Sequence, residues 1–508
     1  MAVGFSSIPA SGWKLPLISI EVDGSQAGTA VQKLFALLTG YKLASGTAAP
    51  GVPVAVGNAA QAKVLFGDGS MLERMFARFF TINRSQIVFC LPLDAPSAGT
   101  TATATVTLSG TITAAGVFSL YVAGQRVQVG IAAGTATAAG AAVAAAVNAS
   151  PTLPVTATAA TGTVTLTAKH KGVAGNDINV TDSFLGVNGG EILPTGMSVA
   201  YSGSGFLAGG TGVPDWTAAI AALGDEPYEY VGMPFTDTGS IAAWATEYGF
   251  GQSGRWGWMR EVYGVVMSAR RDTYSGHMVW GATNNSGVVS VMELEQLVPA
   301  PAWEVAAAYC ARAAEALTAD PARPLQTLVL TGILPAPRQN RFSKTERNGL
   351  ANTGLAIQTV VGGEIQIQRE GTTYQLNSYG QLDNAYDLLT TLCTLAAIFR
   401  RMQQAITNKF PRHKLANDGT NFGPGQAVVT PKIMKGELVA QYRQAEVDGL
   451  VENTDLFKKN LIVERNANDP NRMDVLWPGD IVNGLRFFAV LAQFRLQYPQ
   501  TEPVFAAA

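Results

Sequence analysis

The chain has 508 residues, more than a single hydrophobic core accommodates, so two to four domains are expected. Charged residues make up only 14% of the sequence and hydrophobic residues 47%, which indicates surfaces that do not face water. No apolar run approaches the roughly 20 residues of a membrane helix, so we expect these surfaces to be subunit interfaces without membrane insertion. The net charge of −2 excludes a global basic field of the kind that binds nucleic acid.

The N-terminal residues 1–23 predict an extended arm. Residues 15–22, LPLISIEV, alternate like a strand but precede any domain signal. The apolar positions of this strand are Leu15, Leu17, Ile18, Ile20 and Val22. The first twenty residues carry only Lys14 as a cation and no continuous apolar segment, which argues against a secretory signal and favours assembly in the cytoplasm.

An α/β core is predicted in two parts, residues 24–93 and 206–375. In the first part, apolar runs at 31–37 and 86–93 flank a segment of helical periodicity at 70–80. In the second part, predicted strands cover residues 229–233, 262–267, 277–280 and 326–330, and helices begin at 214 and cover 301–317. Strands that alternate with helices predict a largely parallel sheet covered on both faces.

Residues 94–205 differ sharply in composition, since Thr, Ala, Gly and Val dominate and only Asp94 and Arg126 are charged before Lys169. Alternating apolar positions with turns near Gly124 and Gly162 predict paired strands. We therefore expect a mostly β domain with one alanine-rich helix, inserted into the core at the outer face of an assembly. Its ends suggest that it is dispensable for folding of the core.

Residues 341–375 complete the core. Ser343 and Glu346 form a capping box that predicts a helix start. The segments 355–361 and 364–369, joined through Gly362 and Gly363, predict a hairpin.

Residues 376–508 predict an α+β domain that ends in a C-terminal arm. A long helix is expected over about 383–407, followed by a helix at 432–447 and a strand at 461–464. The stretch 486–496 is apolar and extended, with little chain after it to cover its edge. The residues expected to exchange between subunits there are Phe487, Phe488, Val490, Leu491, Phe494 and Leu496.

Several segments resemble the Mu-like branch of contractile phage tail sheath proteins. They are KFPRHKLANDGTNFGPGQAVVTPK at 409–432, LFKKNLIVERNANDPNRMDVLWPGDIVNGLRFFA at 456–489, TGVPDWTAAIAALGDEPYEYVGMPFTDT at 211–238 and RFSKTERNGLANTG at 341–354. FSSIP and LFGDGSML extend the match toward the N-terminus. The resemblance implies a subtilisin-like core, a C-terminal sheath domain and exchanged arms. It also implies a subunit of the virion tail that polymerises around a tail tube and contracts, with baseplate and tail terminator proteins as further partners.

A basic cluster precedes the first of these segments and extends into it. Arg400, Arg401, Lys409, Arg412 and Lys414 lie between Asp387 and Asp418 with no acidic residue among them. The cluster is either a solvated helix end that complements the macrodipole or a docking face for the tube. Direct contact with nucleic acid is not expected, because aromatic residues are not interleaved with these cations and the tube would separate sheath from genome.

No catalytic or cofactor motif accompanies these features. A subtilisin-like core raises the alternative of a serine hydrolase, but His170, His277 and His413 stand in no protease motif. The glycine-rich run 203–212 lacks the spacing of a dinucleotide fingerprint, and the pair Asp225 and Glu226 is typical of a solvated helix end. The three cysteines lack CxxC spacing and predict buried free thiols. We therefore expect no enzyme activity, no cofactor and no metal; the other open alternative is a capsid or tail decoration protein that uses the insert.

Overall fold

The computed structural model describes residues 34–497. The first part of the core comprises β1 (Phe35–Tyr41), β2 (Val54–Val56), α1 (Ala59–Phe66), α2 (Met71–Ile82) and β3 (Val88–Leu93). The side chain of Ser70 caps α2 by accepting a hydrogen bond from the Glu73 amide. β1 is buried along most of its length, as expected for a strand inside a parallel sheet.

The insert is mostly β with one alanine-rich helix, as predicted. Its elements are β4 (Thr101–Ser109), β5 (Thr111–Ile112), β6 (Gly116–Val122), β7 (Gln125–Ile131), β8 (Gly134–Thr135), α3 (Ala136–Asn148), β9 (Val155–Ala160), β10 (Thr163–Lys171), β11 (Val180–Asp182) and β12 (Ser198–Tyr201). The turn between β6 and β7 places Ala123 and Gly124 at φ of 51° and 73°, the left-handed conformation of tight hairpin turns. The strands form one sheet in the order β12-β4-β10-β9 and another in the order β11-β6-β7.

The second part of the core completes a six-stranded sheet. Its elements are α4 (Thr217–Ala221), β13 (Tyr228–Gly232), α5 (Thr238–Glu247), β14 (Val265–Arg271), α6 (Tyr274–Ala282), β15 (Val289–Leu294), α7 (Ala302–Ala319), α8 (Lys344–Asn352), β16 (Ile357–Val361) and β17 (Glu364–Arg369). The strand order is β15-β14-β13-β1-β3-β2, and every pair is parallel except β2 with β3. The predicted parallel sheet, the capping box on α8 and the β16–β17 hairpin are confirmed.

Two predicted strands of this part are wrong. Residues 277–280 lie in α6, because Thr273 caps a helix there by accepting a hydrogen bond from the Gly276 amide at 3.0 Å. Residues 326–330 form no strand, since Thr327 has a φ of 71° and only Val329 makes a bridge, to Gln366. An apolar run alone does not distinguish a buried helix from a buried strand.

The C-terminal part comprises α9 (Leu389–Lys409), β18 (Lys414–Leu415), β19 (Val428–Val429), α10 (Pro431–Val447), β20 (Val451–Glu452), α11 (Thr454–Asn460), β21 (Ile462–Arg465), β22 (Met473–Leu476) and β23 (Asp480–Ile481). The long helix α9 begins later than predicted, because Leu388 bridges to Gly371 and holds the preceding chain extended. The N-terminal half of α9 packs into the core that includes the sheet, and from Ile398 onward it packs into a second core with α10 and α11. The helix therefore joins the two parts of the molecule.

The insert is fastened to the core by buried polar contacts. The Arg74 guanidinium donates to the carbonyl oxygens of Ala123 and Thr152, both at 2.9 Å, and its Nε donates to Glu304 of α7 at 2.6 Å. The Met71 amide donates to His170 Nε2 at 2.9 Å. Apolar residues of the insert also belong to the same continuous core as the sheet.

Candidate functional site

The C-terminal arm is the most exposed apolar segment that the structure describes. Its chain forms no helix or strand after β23, and the apolar side chains between Phe487 and Leu496 are 68% to 97% exposed. Because strand residues alternate between two faces, Phe488, Val490, Phe494 and Leu496 would share one face of a strand. The exchange residues predicted in this arm lie on one segment, with Phe487 and Leu491 on the other face, and nothing else among residues 34–497 covers them.

The arm starts from a fixed point at Arg486. The two terminal nitrogens of its guanidinium donate to the two carboxylate oxygens of Glu370, at 2.9 Å for Nη1, and the Glu370 side chain is fully buried. The preceding carbonyl, that of Leu485, accepts a hydrogen bond from Gln326 Nε2 at 3.1 Å. A bidentate contact of this kind fixes direction as well as position, so the arm leaves the core at a defined place.

A hairpin near the arm offers open strand edges. β21 and β22 pair antiparallel as a two-stranded sheet, and no further strand lies beside them among residues 34–497. Ile462, Val475 and Leu476 of this hairpin are exposed, while Val463 and Met473 pack toward the second core. Two-stranded sheets with free edges are marginal alone and accept an additional strand readily.

The N-terminal exchange residues Leu15, Leu17, Ile18, Ile20 and Val22 lie outside the described residues.

The basic cluster does not form one exposed face. Arg400 is buried inside the subunit, with a side chain that is 10% exposed and ion-paired to Glu229. Its guanidinium also donates to the carbonyl of Val262 at 3.2 Å and lies 5.3 Å from the ring centroid of Tyr263. The interpretation of Arg400 as a surface charge is therefore wrong, because α9 turns this residue toward the sheet.

The other members of the cluster lie nearer the surface. Arg401 pairs with Asp448 at 2.6 Å, and Lys409 pairs with Glu437 at 2.7 Å. Lys414 donates to the side-chain oxygen of Gln426 at 3.0 Å. Arg412 is exposed and makes no ion pair within the described part of the chain. The tube-docking role of these four residues stays a prediction.

The histidines do not assemble a catalytic site. His277 is buried in α6, where its Nε2 lies 3.1 Å from the carbonyl of Leu294 and burial lowers its pKa to about 4. His170 accepts the amide of Met71, and burial lowers its pKa to about 3. His413 is exposed and packs edge-on against Phe410. Burial thus holds two of the three neutral, and their ring nitrogens make backbone contacts that define structure.

Other classes of site receive no support from the part of the chain between residues 34 and 497. No group of three or more His, Cys, Asp or Glu residues there is arranged to hold a metal ion. None of the helices in that part is both long and apolar enough to span a membrane. Cys90, Cys310 and Cys393 are buried and free, as predicted.

Sequence reasoning missed an exposed aromatic loop, residues 249–264. At its tip Trp258 is 70% and Met259 61% exposed, although Arg255 at its base is fully buried. The segment GFGQSGRWGWMRE has neither helical nor strand periodicity. The signal that marks it is the combination of tryptophan and methionine with glycines outside any predicted element.

The two parts of the chain match different sheath domains. Residues 209–373 match the phage tail sheath protein central domain, and residues 381–495 match the phage tail sheath C-terminal domain. The Mu-like prophage FluMu tail sheath protein of Haemophilus influenzae is 38% identical over 502 residues, which cover 98% of this chain and 100% of that protein.

Solved structures of similar proteins include two bacterial sheath tail proteins. That of Desulfitobacterium hafniense is 12% identical, with 92% of this chain and 100% of its own covered and a TM-score of 0.46. That of Listeria innocua is also 12% identical, with 89% of this chain and 92% of its own covered and a TM-score of 0.45.

The match to the C-terminal domain includes α9, the β21–β22 hairpin and most of the arm. Identity of 38% to a tail sheath protein over nearly the whole length of both chains supports a structural role over that of a hydrolase or a decoration protein. The chain belongs to the phage tail sheath family, whose members are structural proteins and not enzymes.

Proposed function

We propose that many copies of this chain stack helically around a tail tube and contract to drive the tube through a host envelope. The observation that carries the proposal is the exposed apolar arm, which begins at the ion pair of Arg486 with Glu370 and has no covering surface among residues 34–497. Assembly takes place in the host cytoplasm, and the baseplate and tail terminator proteins bound the polymer at its two ends. No fuel site is required, since a small free-energy difference between two packings is summed over many identical interfaces.

The arm is proposed to add to the β21–β22 hairpin of a neighbouring copy, together with the N-terminal residues 15–22. Backbone hydrogen bonds provide such a contact whatever the side chains, so it persists when the rest of the subunit rotates. Ile462 and Leu476, which pair across the exposed face of the hairpin, give the side chains of an added strand apolar neighbours. The eleven residues 487–497 reach about 36 Å when extended, enough to bridge to an adjacent subunit.

Deletion of residues 487–508 tests this mechanism, because the deletion keeps Arg486 and leaves the described core intact. We expect a folded monomer that no longer polymerises in sedimentation or electron microscopy. A matched pair of point variants refines the test: Phe494→Asp places a charge on the apolar face of the arm, whereas Gln493→Asp places it on the other face. Normal polymers from the deletion variant, or equal effects of the two point variants, would refute strand addition.

The tube-docking surface is proposed to centre on Arg412 and Lys414, with Arg401 and Lys409 as partly neutralised neighbours. Surface charges contribute little to stability but set docking and its salt dependence. Arg412→Glu with Lys414→Glu should weaken co-sedimentation of sheath with tube at low salt and leave self-assembly intact. Co-sedimentation that is unchanged at every salt concentration would restore the interpretation of the cluster as a solvated helix end.

A further inference from the structure

The aromatic loop is an ordered apolar projection. Arg255 at its base donates to the carbonyls of Glu226 and Gly224 at 2.6 and 2.9 Å. These bonds hold the base of the loop against the chain that leads into β13, although Trp258 and Met259 at the tip are exposed. An ordered projection loses little conformational entropy on binding, so the tip is suited to receive a partner.

The described chain begins at the same edge of the sheet as this loop. Phe35, the first residue of β1, pairs with Tyr228 at the start of β13, and β13 pairs with β14, which starts where the loop ends. Adjacent strands are about 4.8 Å apart, so about 10 Å separates Phe35 from the end of the loop. Residues 1–33 therefore join the described chain beside the loop.

Aromatic contacts connect this starting point with the base of the loop. The ring centroids of Phe35 and Phe89 are 5.2 Å apart, and those of Phe89 and Tyr228 are 5.4 Å apart. The Arg255 guanidinium lies 5.8 Å from the ring centroid of Tyr228. Phe35 and Phe89 are only partly buried, and Ile87 beside them is 42% exposed. Apolar surface is thus open both where the described chain begins and at the tip of the loop.

The N-terminal segment 15–22 is within reach of the loop tip in the same chain. The eleven residues 23–33 lie between this segment and Leu34, and they span up to about 36 Å when extended. That length exceeds the roughly 10 Å between the start of β1 and the end of the loop. The C-terminal arm does not take this place in the described part of the chain, because its own apolar side chains are exposed.

A contact within one chain has a concentration advantage over a contact between copies. A segment tethered by a short linker acts at an effective concentration in the millimolar range, far above that of a dilute protein. In a strand, Ile18, Ile20 and Val22 share one face, which gives the segment an apolar surface to set against the loop tip. In a free subunit, the loop of the same chain is therefore the favoured site for this segment.

We propose that residues 15–22 pack on Trp258 and Met259 of their own chain before assembly, and that they leave this site when they add to the β21–β22 hairpin of a neighbouring copy. The same apolar side chains cannot occupy both places, so the loop delays polymerisation by retaining the segment. The release step rests on the strand exchange of the proposed function, whereas the contact with the loop belongs to the free subunit.

A cysteine trap in dilute, unassembled protein tests the contact, because the three native cysteines are buried. With diamide as the oxidant, Ile18→Cys with Met259→Cys should form a disulfide within one chain, seen as altered migration of the monomer on a non-reducing gel. The control combines Ile18→Cys with Val361→Cys, since Val361 is 53% exposed on the β16–β17 hairpin. Its disulfide should form roughly tenfold more slowly, because only the docked segment has a raised local concentration. Equal rates, or disulfides between chains only, would overturn the proposal.

A second measurement tests the delay of polymerisation. Trp258→Glu should release residues 15–22 early and shorten the lag before polymerisation severalfold, measured by light scattering. Val117→Glu is the matched control, since Val117 is 52% exposed on the insert, and it should leave the lag unchanged. An unchanged or longer lag for Trp258→Glu would overturn the proposal. Failure of the parent chain to polymerise would contradict the proposed function instead, and the cysteine trap would still decide whether the contact exists.

Discussion

Buried carboxylates paired with arginines stand at each joint of this molecule. Glu304 pairs with Arg74 and Arg78 where the insert meets the core, and its side chain is 1% exposed. Glu229 pairs with Arg400 where α9 meets the sheet. Glu370 pairs with Arg486 where the arm begins. A buried charge without its partner is strongly unfavourable, so each pair selects one relative arrangement of the parts that it joins.

Arg400→Met tests the joint between α9 and the sheet. The substitution keeps a long apolar side chain but leaves Glu229 buried and uncompensated, and we expect a loss of about 3 to 5 kcal/mol in the free energy of unfolding. Arg412→Met is the matched control, with an expected change within about 0.5 kcal/mol because Arg412 is exposed. Denaturant unfolding of both variants checks the prediction, which similar values for the two would contradict.

Glu293 on β15 gives stability a dependence on pH. Its carboxyl is fully buried and accepts a hydrogen bond from the Gln358 amide at 3.2 Å, and burial raises its pKa well above the usual range, with the nearby Glu295 as a second cause. The native state therefore keeps a proton that the unfolded chain releases above about pH 4.3. Stability contributed by this proton is present below that pH and declines as pH rises toward the native pKa.

Glu293→Gln should remove this contribution. Glutamine does not ionise. We therefore expect the stability of the variant to fall less than that of the parent as pH rises from 5 to 8, so that the variant is the more stable protein near pH 8. Thermal unfolding across that range provides the measurement. Glu295 has a raised pKa for the same reason, so part of the slope persists in the variant. An unchanged slope would show that Glu293 does not hold the proton.

Among the elements, the C-terminal arm depends on the ion pair between Arg486 and Glu370 at which it begins. Arg486→Met leaves Glu370 buried without a cation and should lower the free energy of unfolding by about 3 kcal/mol. The double variant Arg486→Met with Glu370→Gln removes both charges and should recover most of that loss. Polymerisation should stay impaired in the double variant, because the arm no longer leaves the core in a fixed direction. Full recovery of both properties would limit the pair to a role in folding.

Elements with a capping or turn signal were predictable from sequence, and those that depend on tertiary contacts were not. The capping box at Ser343 and Glu346 and the turn at Gly362 and Gly363 encode α8 and the β16–β17 hairpin locally. The apolar residues 277–280 fit a buried helix and a buried strand equally well. The helix cap Thr273, which decides between the two, lies four residues upstream. The burial of Arg400 had no sequence signal, since Glu229 lies 171 residues away along the chain. The exposure of residues 487–496 was predictable, because this apolar stretch follows the last predicted helix or strand that could cover it.

At the scale of the whole molecule, the insert is part of the folded unit. The sequence suggests a removable domain, but His170, Ala123 and Thr152 of the insert satisfy polar groups of α2, and Asp177 pairs with Arg271 of β14. Composition identified the insert, whereas these contacts come from its docking onto the core.

Replacement of residues 94–205 by a short Gly/Ser linker should therefore destabilise the core, since it strips partners from Arg74, Met71 and Arg271. We expect a drop of several kcal/mol in the free energy of unfolding, measured by urea denaturation against the parent chain. A double variant in the parent chain, Arg74→Met with Glu304→Gln, is the control that removes one joint without deleting the domain. A linker protein as stable as the parent would restore the insert as a dispensable appendage.

Electron microscopy of the purified chain over a range of concentrations tests whether the exposed C-terminal arm makes this protein a self-assembling sheath. We expect hollow helical tubes or stacked rings above a critical concentration, and their loss when residues 487–508 are removed. Dispersed monomers at every concentration, from a chain shown to be folded, would contradict this self-assembly.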